Sequence, residues 1–386
     1  MVVSDMDFLI IGCGLCGAVI ARYLAEQEKK VVIWERRDHI GGNMYDYMDD
    51  HGFLVQKYGP HTFHTKKKKL YEYMCRFEQW QEYQLTCGAV WAGKYTPVPF
   101  NFTTIDTFFL QEHAELLKRK LKTAFRSRTT AAVTEVLRHP DPEIRTYAEY
   151  LFQNDYAPYT AKQWGVLPDQ IDPSVLKRVP LRFSYEVGYF DDPYQVMPVH
   201  SFTHFFENLL AHSNIEVYTG IEATNHLQIR NKRLFLDGSE VTFPIVYTGA
   251  LDELFGNIYG ALPYRSLRFE WKYSTADSLQ PAPVVAYPQE QGYTRITEYK
   301  KLPIQHGLGT SYAVEYPLPY RTGERKEPYY PVLTAESRQQ FERYKALARQ
   351  IPELICCGRL ADFKYYNMDQ ALERALEICS VMGKKR

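Results

Sequence analysis

The stretch Phe8-Leu-Ile-Ile-Gly12-Cys-Gly14-Leu-Cys-Gly17 decides the fold. Four apolar residues read as a strand buried on both faces and run directly into a G-x-G-x-x-G turn. Ala18 to Gln27 then carries helix formers, and Val31-Val-Ile-Trp34 is a second buried run. Strand, glycine turn, helix and strand make the front of a βαβ unit. In such a turn Gly12 allows the tight bend and Gly14 lets a pyrophosphate approach the backbone. Gly17 lets helix and strand pack closely, so that the helix N-terminus faces the phosphates. The glycine pattern alone is weak. Its context is strong, because Glu35 ends the second strand 23 residues after Gly12, where a carboxylate can accept from ribose hydroxyls.

Working outward, the same turn holds Cys13 and Cys16 at C-x-x-C spacing. A redox dithiol or half of a zinc site uses that spacing. Two small side chains inside a crowded turn is the preferred reading, because no second cysteine pair stands at metal-site spacing. After Glu35 comes Arg36-Arg-Asp-His-Ile-Gly41-Gly42-Asn43. A second Gly-Gly just beyond the acidic strand end lets another backbone segment approach a cofactor, and this E-R-x(4)-G-G extension resembles the flavin (FAD) version of the fold more than the nicotinamide version. Far along the chain, Leu354-Ile-Cys-Cys357, Gly358-Arg359 and a helix from Asn367 to Met382 repeat the strand, turn, helix order. Asn367 is the expected N-cap, and Met368, Leu372, Ala375, Leu376 and Cys379 share one face. The partial positive charge of that helix N-terminus favours an anionic reduced flavin.

Composition limits the rest. The chain has 386 residues, with 46 Lys+Arg against 46 Asp+Glu. Balanced charge excludes a broad basic face for nucleic acid or anionic membrane. The longest apolar stretch, Phe8 to Ala21, has 14 residues with three glycines, too short and interrupted to span a bilayer. No basic segment precedes it and no small-residue cleavage site follows, so it does not read as a signal peptide. Seven cysteines spread over the chain argue against a disulfide framework and fit a reducing cytosol. His61 and His64 lack a third ligand, so no metal site is expected. Lys66 to Lys69 reads as a solvated face.

From about Phe102 to Gln163 the pattern is mostly helical, broken by Pro140 and Pro142. Alternating stretches such as Leu267-Arg-Phe-Glu-Trp-Lys-Tyr273 and Tyr293-Thr-Arg-Ile-Thr-Glu-Tyr299 predict an antiparallel sheet with one wet face. The expectation is an α/β chain: an FAD-binding, Rossmann-like domain built from both chain ends (1–80, 195–262, 345–386), an inserted helical domain (100–178) and an antiparallel sheet domain (81–99, 179–194, 263–344).

More specific segments lie between. Tyr58-Gly-Pro-His-Thr-Phe-His64, Tyr159-Thr-Ala-Lys-Gln-Trp-Gly165, Lys177-Arg-Val-Pro180, Tyr293-Thr-Arg295, Glu327-Pro-Tyr-Tyr-Pro331 and Gly358-Arg-Leu-Ala-Asp-Phe-Lys-Tyr-Tyr-Asn-Met368 are collinear with Glu35-Arg36 and Gly41-Gly42-Asn43. Together they resemble the bacterial UDP-galactopyranose mutases, from residue 7 to about 380. That family interconverts UDP-galactopyranose and UDP-galactofuranose with reduced FAD and no net redox change. There, flavin N5 attacks the anomeric carbon and expels UDP, and the sugar 4-hydroxyl closes the smaller ring. The resemblance implies that Arg178 and Arg295 bind the diphosphate as catalytic cations. It implies that Tyr159, Trp164, Tyr189, Tyr330 and Tyr365 contact substrate. It places Gly12, Gly14, Cys16, Gly17, Glu35, Arg36, Gly42, Asn43, His61, Thr62, Gly220, Arg359, Tyr366, Asn367, Met368 and Gln370 at the FAD. Implied partners are UDP-galactose or a related nucleotide-sugar and NAD(P)H or another reductant, in a cytoplasmic homodimer or higher homo-oligomer serving cell-surface polysaccharide synthesis, with no nucleic acid and no membrane insertion.

Some positions depart from the family pattern. Ala286 stands for an Asn near the substrate, Leu85 for a polar residue, Asp155 for an aromatic that stacks on the base, and Asn367 for the commoner Asp. The first three lie toward base and sugar recognition. They leave open a mutase for a different nucleotide-sugar, such as an N-acetylgalactosamine or deoxy-hexose form. A flavin-dependent oxidoreductase on the same fold is the rival enzyme, and a binding protein that has lost the chemistry is the rival non-enzyme.

Overall fold

The Phe8–Ile11 strand forms the middle of a five-stranded parallel sheet. The computed structural model describes residues 6–165, 167, 176, 179–320 and 327–384. The sheet order is Ile215–Thr219, Val31–Glu35, Phe8–Ile11, Ile245–Tyr247, Leu354–Cys356, and every pairing is parallel. Strands from the start, middle and end of the chain thus lie side by side. The sheet is covered on both faces, which explains the unbroken apolar runs. Ile10, Ile33 and Val246 face one core, made with the Leu15–Ala25, Phe202–Leu210 and Met368–Lys384 helices. Leu9, Ile11, Trp34, Ile245 and Tyr247 face the other, which the Ala335–Ala348 helix covers with Phe341 and Tyr344. The sequence reading put most of that helix in the sheet domain; its packing places it on the nucleotide-binding core.

A seven-stranded sheet stands beside this domain, in the order Tyr330–Pro331, Tyr264–Ser274, Thr310–Pro319, Arg295–Glu298, Val284–Ala286, Cys87–Trp91, Lys94–Val98. All its pairings are antiparallel except one: Val284–Ala286 runs parallel to Cys87–Trp91. The expected antiparallel sheet thus carries one parallel seam. Two segments nearly two hundred residues apart meet at that seam, and no hairpin dictates their direction.

The helical region runs from Phe102–Phe108 to Ala157–Trp164. Asn101 caps the first helix, its side chain accepting from Thr103 N at 2.8 Å while Thr104 Oγ1 accepts from Asn101 N at 3.1 Å. Pro142 opens the Pro142–Leu151 helix behind an Asp141 cap, as its fixed φ favours. A π-helical turn, Phe152–Tyr156, then widens the winding before Ala157–Trp164 and turns Asp155 inward. Among the described residues, no helix is long and apolar enough to cross a membrane.

Candidate active site

The glycine turn opens a cleft at the C-terminal edge of the parallel sheet. The cleft is bounded by the end of the Val31–Glu35 strand, the Gly42–Met44 turn, Tyr247 to Gly249, Glu327 to Tyr329, and the start of the last helix. Gly12 has φ +101°, and a Cβ there would lie 2.1 Å from Thr248 Oγ1. A Cβ on Gly42, at φ +57°, would lie 2.8 Å from Gly14 Cα. The two glycine segments therefore touch backbone to backbone and leave a floor of peptide groups. Glu35 is buried beneath it, accepting from Cys13 N at 2.7 Å and Arg37 N at 3.0 Å. Burial and the Glu35 charge push the Cys13 thiol up to about 12, which removes it as a redox nucleophile at neutral pH.

Two arginines at the strand end differ in availability. Arg36 is paired with Glu253 at 2.8 Å and Glu222 at 3.3 Å. Arg37 donates through Nη2 to Asn43 Oδ1 and Glu327 Oε2, both at 2.9 Å, and its guanidinium lies 4.1 Å from the Tyr58 ring centroid. Its Nη1 is buried with no partner among the described residues, while the residue lines the cleft. Burial opposes the charge, but Glu327 and Tyr58 outweigh it and keep the group cationic. An orphaned cationic donor above a glycine floor fits a pyrophosphate-bearing dinucleotide. Sequence reasoning named Arg36 and missed Arg37; adjacent arginines give no signal for which one the acids consume.

A second cleft shares Asn43, His61, Tyr329, Arg359, Asn367 and Met368 with the first and extends into the sheet and helical regions. At its centre Arg295 Nε donates to Glu315 Oε2 at 2.7 Å, and Nη2 stands 2.7 Å from the same oxygen in the ion pair. Burial disfavours the Arg295 charge, but the Glu315 carboxylate more than offsets this and raises its pKa above the usual value. Behind them Gln163 Nε2 donates to the Tyr330 hydroxyl and lies 3.5 Å from Glu315 Oε1, while Gln163 Oε1 is buried and unpartnered among the described residues. Trp164, Tyr330 and Tyr365 form an aromatic wall with centroid separations of 4.9, 5.9 and 5.8 Å. Arg359 donates to the carbonyls of Tyr329 and Tyr366 at 3.1 and 2.8 Å.

The histidines serve different ends. His61 bonds through Nδ1 to the Gly59 carbonyl at 2.8 Å; a carbonyl only accepts, so Nδ1 carries the proton and Nε2 is left as an acceptor. Burial lowers its pKa to about 4, so the ring is neutral at pH 7. His64 bonds to Asp192 at 2.5 Å and stacks on Phe190. Asp155 lines the far end of the cleft, and burial raises its pKa to about 7.

Gly12, Gly14, Cys16, Gly17, Glu35, Arg36, Gly42, Asn43, His61, Arg359, Asn367 and Met368 line the first cleft. Thr62, Tyr159, Trp164, Tyr189, Arg295, Tyr330, Tyr365 and Tyr366 line the second, as do Leu85, Asp155 and Ala286. Neither lining includes Gly220 or Gln370. Gly220 closes the Ile215–Thr219 strand by donating to Arg37 O at 2.9 Å. The Gln370 side chain caps the last helix, accepting from Asn367 N at 3.0 Å. Arg178 lies outside the described residues. Gln163, Glu315, His64 and Phe190 were missed. Gln163 stands in the quoted K-Q-W-G segment, whereas Glu315 becomes visible only once Arg295 is paired opposite it across two strands.

A glycine-floored cleft on a Rossmann-like sheet that opens into an arginine- and tyrosine-lined chamber defines an α/β protein of the flavoenzyme class. A family model for UDP-galactopyranose mutase matches residues 154–365, and one for an NAD(P)-binding Rossmann-like domain matches residues 10–77. A UDP-galactopyranose mutase of Mycoplasma pneumoniae is 33% identical over 97% of this chain and 95% of its own length. A dTDP-fucopyranose mutase of Escherichia coli is 34% identical over 96% of each chain. A crystal structure of reduced UDP-galactopyranose mutase superimposes with a TM-score of 0.72 at 15% identity, covering 98% of this chain and 94% of that one. The chain belongs to the UDP-galactopyranose mutase family of isomerases.

Proposed function

We propose that this protein interconverts UDP-galactopyranose and UDP-galactofuranose, using reduced FAD and causing no net redox change. The observation that carries this reading is the merging of the two clefts: six residues of the dinucleotide site also line the chamber that holds Arg295. The bound, reduced flavin supplies a nucleophilic N5 for the anomeric carbon. The chain supplies position and charge. Arg295, fixed by Glu315, meets the negative charge that builds on the departing diphosphate, and Arg178 is its proposed partner. Hydroxyls of Tyr159, Tyr189, Tyr330 and Tyr365 offer donors to the diphosphate and sugar, and the Trp164 wall keeps water out. Neutral His61 offers Nε2 as an acceptor without adding a cation beside the cofactor. Glu35 receives the FAD ribose, and Arg37 the pyrophosphate. NAD(P)H or a similar reductant in the cytoplasm completes the proposal.

The test is turnover of UDP-galactose by protein held reduced with dithionite, followed by chromatography and by borohydride trapping. A furanose product and a sugar-linked flavin are expected from reduced protein, with oxidised protein nearly inactive. Equal turnover in both redox states, or no trapped adduct, overturns the reading. Net substrate oxidation would point instead to a flavin-dependent oxidoreductase.

A second reading, a mutase for another nucleotide-sugar, is favoured by one observation. Leu85, Asp155 and Ala286 all line the substrate chamber, and Leu85 lies beside Cys87 and Val284 in one apolar cluster. One of the similar proteins acts, by its name, on a dTDP-linked deoxy-sugar. Side-by-side kinetics with UDP-galactose, UDP-N-acetylgalactosamine and dTDP-fucopyranose decide between the two.

A further inference from the structure

A cluster away from both clefts brings together Glu78, His200 and His204, with one ligand atom of each lying within 4.8 Å of the others. It arises from strand register. The Trp80–Glu82 strand pairs antiparallel with Tyr194–Pro198, Pro198 lying opposite Trp80. Val199 N donates to Gln79 O at 2.8 Å, so the pairing continues beyond the strands and sets His200 opposite Glu78. Ser201 then caps the Phe202–Leu210 helix, and its first turn carries His204 back over the same carboxylate. His200 Nδ1 lies 2.9 Å from Glu78 Oε1 and His204 Nδ1 lies 2.6 Å from Oε2. Gln79 N also donates to Oε1, at 2.6 Å, and Asn208 Nδ2 lies 3.3 Å from His204 Nδ1.

We propose that Glu78, His200 and His204 form a binding site for a borderline divalent transition metal, Zn2+ being the best match, which fastens the Phe77–Gln79 turn to the start of the Phe202–Leu210 helix. The donor set is one carboxylate and two imidazoles, the chemistry such ions take. The Glu78 side chain is 1% exposed, and among the described residues no Lys or Arg pairs with it, so apart from the two imidazoles no side chain supplies this buried carboxylate with a countercharge. A divalent ion supplies that charge. Tetrahedral ligand atoms bonded at about 2.1 Å stand about 3.4 Å apart, which small rotations of the two exposed rings reach from the present spacing. His200 is 56% and His204 41% exposed, so the ion has a path in and water can take the remaining position. The helix packs in the same core as the one the glycine turn opens, so the fastening stiffens the dinucleotide domain and not the substrate chamber.

The experiment titrates flavin-loaded, metal-free protein with Zn2+ by calorimetry and with Co2+ by visible absorption, with thermal unfolding alongside. Wild type is expected to bind one Zn2+ at this site and to melt at a higher temperature with the ion. Its Co2+ spectrum should show nitrogen and oxygen coordination without a thiolate charge-transfer band. His200→Asn and His204→Asn change exposed rings, so both variants fold. Each should weaken Zn2+ binding by at least about tenfold, since even outer-shell partners of metal ligands are worth about 10–100-fold. Absence of stoichiometric binding by wild type, equal affinity in both variants, or a thiolate band as the sole signal overturns the site. Mutase activity does not enter these readouts, so the site stands or falls separately from the proposed function.

Discussion

A single carboxylate oxygen, Glu315 Oε2, holds both Nε and Nη2 of Arg295 at 2.7 Å. Arg295 and Glu315 face each other in the register of neighbouring antiparallel strands, so backbone pairing fixes the contact before any substrate arrives. With Nε and Nη2 held by one carboxylate, the guanidinium plane is set at the chamber lining. Under the proposed function, Glu315 is a positioning residue for the cation that would meet the diphosphate. Arg295→Ala is expected to cost roughly 10²–10³-fold in kcat, the scale for losing one charge-stabilising donor; Arg178→Ala should do the same. Glu315→Gln should lower kcat by roughly tenfold with a smaller change in KM, because the cation remains but its plane is no longer pinned. Steady-state kinetics on reduced protein check this, and a wild-type kcat for Glu315→Gln would reassign that residue to folding alone.

Arg37 offers a second test. Its buried Nη1, beside the glycine floor, lacks a partner among the described residues. A hydrogen bond to a charged group contributes about 1.5–3 kcal/mol, so Arg37→Met should weaken FAD retention by about 10–100-fold. Arg36→Met should do less, because Glu222 and Glu253 already occupy that side chain. The flavin-to-protein absorbance ratio after dialysis reads both, and equal losses in the two variants would refute the distinction.

The Asp155 carboxyl should make stability depend on pH. It ionises near 3.9 in an unfolded chain and near 7 here, where burial disfavours its charge. Between those values the unfolded chain binds fewer protons, so this group's contribution falls as pH rises from about 4 to about 7. Asp155→Asn should therefore raise stability at pH 8, by up to about 4 kcal/mol, and change little near pH 4. Melting temperatures across that range test the sign; a variant less stable than wild type at pH 8 contradicts it.

Substrate choice is a fourth test. Ala286 lies directly opposite Arg295 across paired strands, and Leu85 belongs to an apolar cluster at the chamber edge. Ala286→Asn restores a polar side chain there and should raise kcat/KM for UDP-galactose severalfold relative to a deoxy-sugar substrate. A wild-type enzyme already strongly selective for UDP-galactose would show that these apolar positions do not weaken its recognition.

Much of the nucleotide-binding half was legible because it is local. Glycine spacing, two apolar runs and one acidic strand end fall within thirty residues, and each has a backbone reason. The chamber was legible only through family-specific segments, since Tyr159, Arg295 and Tyr330 sit on separate elements that nothing in their own neighbourhoods joins. What escaped depends on register. Glu315 meets Arg295, and Glu78 meets His200, only after particular strands align, and no periodicity announces that alignment. The parallel seam between Val284–Ala286 and Cys87–Trp91 escaped for the same reason.

The parallel sheet places Phe8–Ile11 between Val31–Glu35 and Ile245–Tyr247, with Leu354–Cys356 on the outer edge. A nascent chain leaving the ribosome therefore carries a half-built cleft across the more than three hundred residues between Phe8–Ile11 and Leu354–Cys356. The cleft is finished only when the closing strand and the Met368–Lys384 helix emerge. Under the proposed function, flavin capture waits for that segment, and a chain lacking it should stay an apoprotein even with every glycine of the opening turn intact.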